Sequence, residues 1–239
     1  MGQLEKGMSE GQQGEQQRLD VFRYEDEALS ERVERLALQH LTQFLVCKKV
    51  ITAGDVDRAI EKTAKYCGVP GDQFRRPTPD MVSAIITRMN NALEKAADLR
   101  LVICLDEVHA EQVWSLCNGR ADALSLAASS YSPEQMTALK KILDWSYTDD
   151  RRDHGAIAAL TQQQLAMDYP VLAPNVITRM VNDGWLKELP PDYPGENSGS
   201  LRYTVGSRLL AEMSQYLSDT YGDDARTCMI CGLPVLVVC

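Results

Sequence analysis

An order of elements that occurs twice, three helical patterns followed by a pair of short strand patterns, constrains this chain most. In the first round Leu29, Val33, Leu36, Ala37, His40, Leu41, Phe44 and Leu45 recur at helical spacing and define one apolar face. His40 on that face reads as a core or boundary histidine. Thr52 is an N-cap for a second helix carrying Val56, Ala59, Ile60, Thr63 and Cys67 and stopping at Gly68. Thr78-Pro79 opens a third, whose buried stripe is Val82, Ile85, Ile86, Met89 and Leu93. LRLVICL and VWSLC, separated by DEVHAEQ, then read as a β-hairpin.

The second round starts at Ser132-Pro133-Glu134-Gln135, a capping box with proline in the first turn. It carries Met136, Leu139, Ile142 and Leu143. The charged run DDRRDHG (149–155) reads as a linker and AIAALTQQQLA as a short helix. A third helix runs from Ala173-Pro174 through Val176, Ile177, Met180 and Val181 to Gly184. WLKEL and LRYTV pair across PPDYPGENSGS, and SRLLAEMSQYLSDTY closes the unit as one helix buried through Leu209, Leu210, Met213 and Leu217. The expected fold is mainly α with small β wings. It comprises a disordered arm at 1–28, winged helix A at 29–125, winged helix B at 132–222 and a cysteine-bearing tail at 223–239.

Charge limits what such a fold can do. With 34 acidic against 25 basic residues among 239, the net charge of −9 argues against a surface built throughout for phosphate backbones. Residues 29–125 balance at 13 basic and 13 acidic, and residues 132–222 hold 8 against 12. A helix that reads bases presents several Arg, Asn or Gln side chains. Residues 174–184 offer Arg179 against Asp183, and residues 79–97 offer Arg88 and Lys95 against Asp80 and Glu94. Lys48, Lys49, Arg75 and Arg76 are the weak nucleic-acid candidates. A stand-alone winged-helix DNA-binding regulator is therefore the alternative reading, and protein–protein docking the favoured one. No catalytic constellation is evident.

No apolar run reaches the ~18 residues of a membrane span, and no signal-peptide core opens the chain, so a soluble intracellular protein is expected. Cys47, Cys67, Cys104 and Cys117 sit singly in apolar patterns and read as small buried thiols.

The tail carries the remaining chemistry. In Cys228-Met229-Ile230-Cys231-Gly232, two thiolates two residues apart can turn toward one metal, and the glycine permits the tight turn behind them. This reads as a zinc knuckle, half of a site. A redox pair, which expects a strand-to-helix setting, and a chance pair of surface cysteines are the alternatives.

The chain resembles the non-SMC element 1 family, the RING-bearing subunit of the structural-maintenance-of-chromosomes 5/6 complex. LALQHLTQFLVCKKVITAGDVDRAI, ITRMNNALEKAADLRLVICLDEVHAEQVWSLCN, MVNDGWLKEL and, most specifically, YTVGSRLLAEMSQYLSDTYGDDARTCMIC carry the resemblance. It implies a tandem winged helix followed by a variant RING, in a nuclear, chromosome-associated subunit acting in DNA repair and recombination. The implied partners are a MAGE-type winged-helix subunit, a kleisin-type subunit and, for a complete RING, a ubiquitin-conjugating enzyme; DNA contact is expected through the complex. The implied activity is RING-type ubiquitin transfer, with structural Zn2+. Cys228 and Cys231 match the first two RING ligands and Cys239 the third, with a short spacing of seven residues after Cys231. No histidine follows His154, so the later ligands are missing and less than a full zinc pair is expected in this chain. The apolar PVLVV (234–238) is expected to be frayed or covered by a neighbouring protein.

Overall fold

The computed structural model describes residues 22–118, 131–148, 157–194, 199–222, 227–229, 232 and 234–236. Helix α1 spans Glu27–Lys48 and starts where the Asp26 carboxylate accepts the Ala28 and Leu29 amides at 2.8 and 3.2 Å. Strand β1, Val50–Thr52, leads directly into α2, Ala53–Tyr66, through a reciprocal capping box of Thr52 and Asp55. Helix α3 (Pro79–Ala97) begins at the Thr78 cap, and β2 (Leu99–Asp106) and β3 (Glu111–Asn118) form an antiparallel hairpin in which Leu99 faces Asn118 and Asp106 faces Glu111. β1 adds to the other side of β3, giving the sheet order β1-β3-β2. Val33, Leu41, Leu45, Ile60, Ile85 and Trp114 meet in one core beneath it.

The second unit repeats this plan. Its helix α4 covers Pro133–Thr148, with the Ser132 hydroxyl accepting the Gln135 amide at 3.3 Å and the Gln135 side chain accepting the Ser132 amide at 3.0 Å. β4 (Leu160–Thr161), α5 (Gln162–Asp168), α6 (Pro174–Asn182), β5 (Leu186–Leu189) and β6 (Arg202–Val205) follow, with antiparallel sheet order β4-β6-β5. Helices α7 (Ser207–Glu212) and α8 (Ser214–Tyr221) complete it. Leu139, Ile142, Leu165, Met180, Trp185 and Leu209 fill its core. The molecule is thus mixed, helical with two small antiparallel sheets. Among the described residues no helix is long and apolar enough to cross a membrane.

Several expectations need correction. Order begins before residue 29: Phe22 is fully buried in the first core and α1 starts at Glu27, while residues 1–21 of the expected arm lie outside the described residues. The expected helix over AIAALTQQQLA starts only at Gln162, because the Thr161 hydroxyl and the Gln164 side chain cap each other's backbone amides there. Leu160 and Thr161 instead pair with β6. The closing helix is interrupted at Met213, whose backbone (φ −96°, ψ 10°) separates α7 from α8. Cys47 is exposed, being turned away from the buried line of Ala37, Leu41 and Leu45. Cys67 is half-buried, and Cys104 and Cys117 are buried as expected. The linker 149–155, with His154, lies outside the described residues, as do residues 119–125.

PVLVV is the largest departure. Pro234, Val235 and Leu236 are buried within this chain, and Leu236 belongs to the second core. The tail is packed because its apolar side chains find a home on the second unit without a neighbour; Val237 and Val238 lie outside the described residues.

Candidate functional site

Two places concentrate unusual chemistry: the cysteine knuckle and the seam between the units. At the knuckle, Cys228 is 5% exposed, and its carbonyl accepts the Gly232 amide at 2.8 Å. Gly232 has φ 67°, a left-handed conformation that suits glycine, and Thr227 pairs with Pro234 as an antiparallel bridge. Cys228 and Gly232 are thereby brought together, as the Cys-x-x-Cys-Gly spacing calls for. Met229 at the tip is 98% exposed. Cys231 and Cys239 lie outside the described residues. Cys228 is one thiol donor where a structural Zn2+ site needs four ligands.

The seam has its own small core. Cys104 and Cys117 from the hairpin β2–β3 and Val113 between them pack against Ala211 of α7, with Val50 and Val102 alongside. Burial pushes the Cys117 thiol far up, and the nearby Glu212 carboxylate adds to this, so it stays a neutral thiol. One close approach crosses the seam and a second lies within the second unit. A Cβ on Gly184 (φ 77°) would lie 2.5 Å from a methyl of Val50, and one on Gly206 would lie 2.2 Å from the Gly184 carbonyl oxygen. Gly184 was expected as a helix-ending glycine, and its φ agrees; its contact with β1 had no signal in the sequence.

Charged groups close the rim of the seam. The Asn118 amide donates to both Glu212 carboxylate oxygens at 3.3 Å. Arg208 reaches Glu212 at 3.6 Å, donates to the Asp183 carbonyl at 3.0 Å and lies over the Trp185 ring at 4.4 Å. Burial raises the Glu212 carboxyl, and the opposing pull of Arg208 and the Asn118 amide does not fully offset it. On the opposite rim Lys187 places its ammonium 2.6 Å from Asp106 Oδ2, which also meets His109 Nδ1 at 3.1 Å. Burial works to raise Asp106, but the hydrogen bonds from Lys187 and His109 outweigh it and hold the carboxyl below its usual range. Asp106, His109 and Glu111 bring ligand atoms within 4.8 Å of one another. Lys187 already supplies the cation there, so the cluster reads as an ion-pair hub.

The polar residues of the third helices and the four nucleic-acid candidates differ in what they touch. Arg88 on α3 is ion-paired with the buried Glu34 of α1. Asn90 accepts the Leu101 amide and donates to Glu94. On α6, Arg179 stacks over the Tyr131 ring at 4.4 Å, and the Tyr131 hydroxyl donates to Asp183 at 2.6 Å. Lys48 bonds Asp55 at 2.9 Å and Lys49 caps α1, half-buried, whereas Arg75 and Arg76 are exposed in the loop before α3. His40 pairs its Nδ1 with the Thr63 hydroxyl at 3.0 Å.

Comparison with known proteins decides the family. A family model described as Nse1, non-SMC component of the SMC5-6 complex, matches residues 38–171, from within α1 to the loop before α6. The chain belongs to this family. Among curated proteins it is similar to Non-structural maintenance of chromosomes element 1 of Schizosaccharomyces pombe, 24% identical over 207 residues, spanning 84% of this chain and 79% of that one. Among solved structures it is similar to a chain of an Nse1-Nse3-Nse4 complex, with a TM-score of 0.59 and 16% identity over 84% of this chain and 81% of the other. That second likeness is one of fold.

Proposed function

We propose that this chain is a scaffold subunit of an SMC5-6 complex, acting in DNA repair and recombination on nuclear chromosomes. Each unit is a winged helix, and together they dock a MAGE-type winged-helix subunit that a kleisin-type subunit joins. Membership of the Nse1 family carries this reading. The seam supports it: the close approach of Gly184 to Val50 and the Asp106–Lys187 ion pair hold the two units to each other, as a shared docking platform requires. The internal pairing of Arg88 and Arg179 argues against autonomous base reading.

The knuckle is the start of a variant RING. Cys228 and Cys231 would hold one Zn2+, and Cys239 would contribute to a second; the metal would fix the loop that carries Met229. In a complete RING, that loop would receive a ubiquitin-conjugating enzyme and activate ubiquitin transfer without covalent chemistry by the RING itself.

Co-expression with a MAGE-type subunit, followed by size exclusion, tests the reading. A stable heterodimer is expected, weakened but not abolished by deleting residues 223–239. A chain that elutes alone, or that binds one duplex at submicromolar concentration and physiological salt, would refute it.

A further inference from the structure

The turn between β2 and β3 carries two adjacent carboxylates that grip different parts of the molecule. Asp106 holds Lys187 of the second unit at 2.6 Å. Glu107 reaches the tail, where its Oε2 accepts the backbone amide of Leu236 at 3.0 Å, 129 residues away in sequence. The Leu236 side chain, 2% exposed, meanwhile packs in the second unit's core. The tail is thus held by its side chain to one unit and by its backbone to the other. A cavity of about 10 Å³, bordered by Glu107, Lys187, Leu210 and Leu236, lies beside this grip, with room for about one water at most.

We infer that the β2–β3 turn is a clip that sets the orientation of the cysteine knuckle relative to the first unit. The Thr227–Pro234 bridge ties the two arms of the knuckle together, so fixing Leu236, two residues past Pro234, also restrains Thr227 and the adjacent Cys228. A carboxylate accepting a backbone amide is a charge-assisted bond, stronger than a neutral one and directional. Any shift of the first hairpin against the second unit must therefore either break the Glu107 bond or move the knuckle. The inference concerns this chain's own geometry and holds whatever the knuckle binds.

Backbone hydrogen exchange on the full chain, resolved at Leu236 by NMR, tests the clip. Glu107→Ala should speed exchange at the Leu236 amide about tenfold, leaving the β5–β6 amides within twofold. Glu107→Gln, which keeps an acceptor oxygen at the same reach, should restore most of the protection. Glu111→Ala, across the turn on β3, should leave Leu236 unchanged. Unaltered Leu236 exchange in Glu107→Ala would overturn the inference, as would equal acceleration of the β5–β6 amides, the mark of general loosening. So would Asp106→Asn exposing Leu236 as strongly as Glu107→Ala, because the grip would then not be specific to Glu107.

Discussion

The Lys187 ammonium lies 2.6 Å from Oδ2 of Asp106, joining the end of the first hairpin to β5 of the second unit. Asp106 is nearly buried while a third of the lysine side chain remains exposed, so removing either partner leaves a charge in a poor setting. Asp106→Asn and Lys187→Met should each lower stability by roughly 1–3 kcal/mol. The double variant should lose less than the sum of the two. Urea unfolding followed by tryptophan fluorescence would measure this, with Trp114 and Trp185 reporting on separate cores.

Acid should loosen the molecule through the same group. Asp106 and Asp55 both titrate below the ordinary value of 3.8. At each, burial pushes upward but is outweighed, at Asp55 by the Thr52 amide, Lys48 and Arg58. A lowered folded value means the stabilisation is complete above 3.8 and disappears as pH falls through the folded values. Glu212 has the opposite sign: its raised carboxyl takes up a proton more readily when folded and offsets part of the loss. Melting temperature followed from about pH 6 to about pH 2 should therefore fall mainly below about pH 4, and Asp106→Asn should flatten the fall.

Gly184 should tolerate no side chain. Gly184→Ala meets both a left-handed φ of 77° and a methyl of Val50 at 2.5 Å. The backbone strain costs about 1 kcal/mol and the clash roughly 1–3 more. Adding Val50→Ala should relieve the clash but not the strain. Gly232→Ala, with φ 67° and open space around it, should carry the strain alone. Differential scanning calorimetry of the four proteins separates the two contributions.

Arg88→Ala should be a stability variant and not a nucleic-acid one. It removes one of the contacts of Glu34, whose side chain is 9% exposed, and a loss of roughly 1–3 kcal/mol is expected. Binding to duplex DNA, measured by fluorescence anisotropy at physiological salt, should stay weak and unchanged. A large drop in affinity would make Arg88 a phosphate or base contact.

On α8, the Tyr221 hydroxyl donates to Asp144 at 3.1 Å beside the Tyr216 hydroxyl at 2.8 Å. Burial raises the Tyr221 phenol, and the Asp144 contact adds to it, to about 12. A raised folded value contributes stability that is complete below the ordinary phenol value of 10.0 and is lost as pH rises toward about 12. Ultraviolet titration should show a late-ionising tyrosine that moves earlier in Asp144→Asn.

Much of each unit was legible because helix faces and caps are local. Thr52, Thr78 and Ser132 each announce a helix with a side chain placed three residues before the amide it caps. The two hairpins were legible from apolar runs of strand length. Strands β1 and β4, of three and two residues, are too short to show an alternation, and pairing with a distant strand defines them. The seam was illegible for another reason. Cys104, Cys117 and Ala211 look like ordinary core residues, and Gly184 like an ordinary helix stop, until the opposing unit is in place. At the knuckle the spacing of Cys228 and Gly232 announced the turn, but nothing in PVLVV revealed that it would pack on its own chain.

The seam also has a consequence for synthesis. Asn118 ends the first hairpin, and its partner Glu212 lies 94 residues later. At about 5–20 residues per second, the ribosome needs roughly 5–20 s to deliver α7 after that hairpin is complete. During that interval Val50, Val102 and Val113, with the thiols of Cys104 and Cys117, have no cover from Ala211. The nascent chain therefore passes through a sticky, oxidisable stage, and holdase chaperones or a reducing environment at the ribosome would act on this molecule before any partner could.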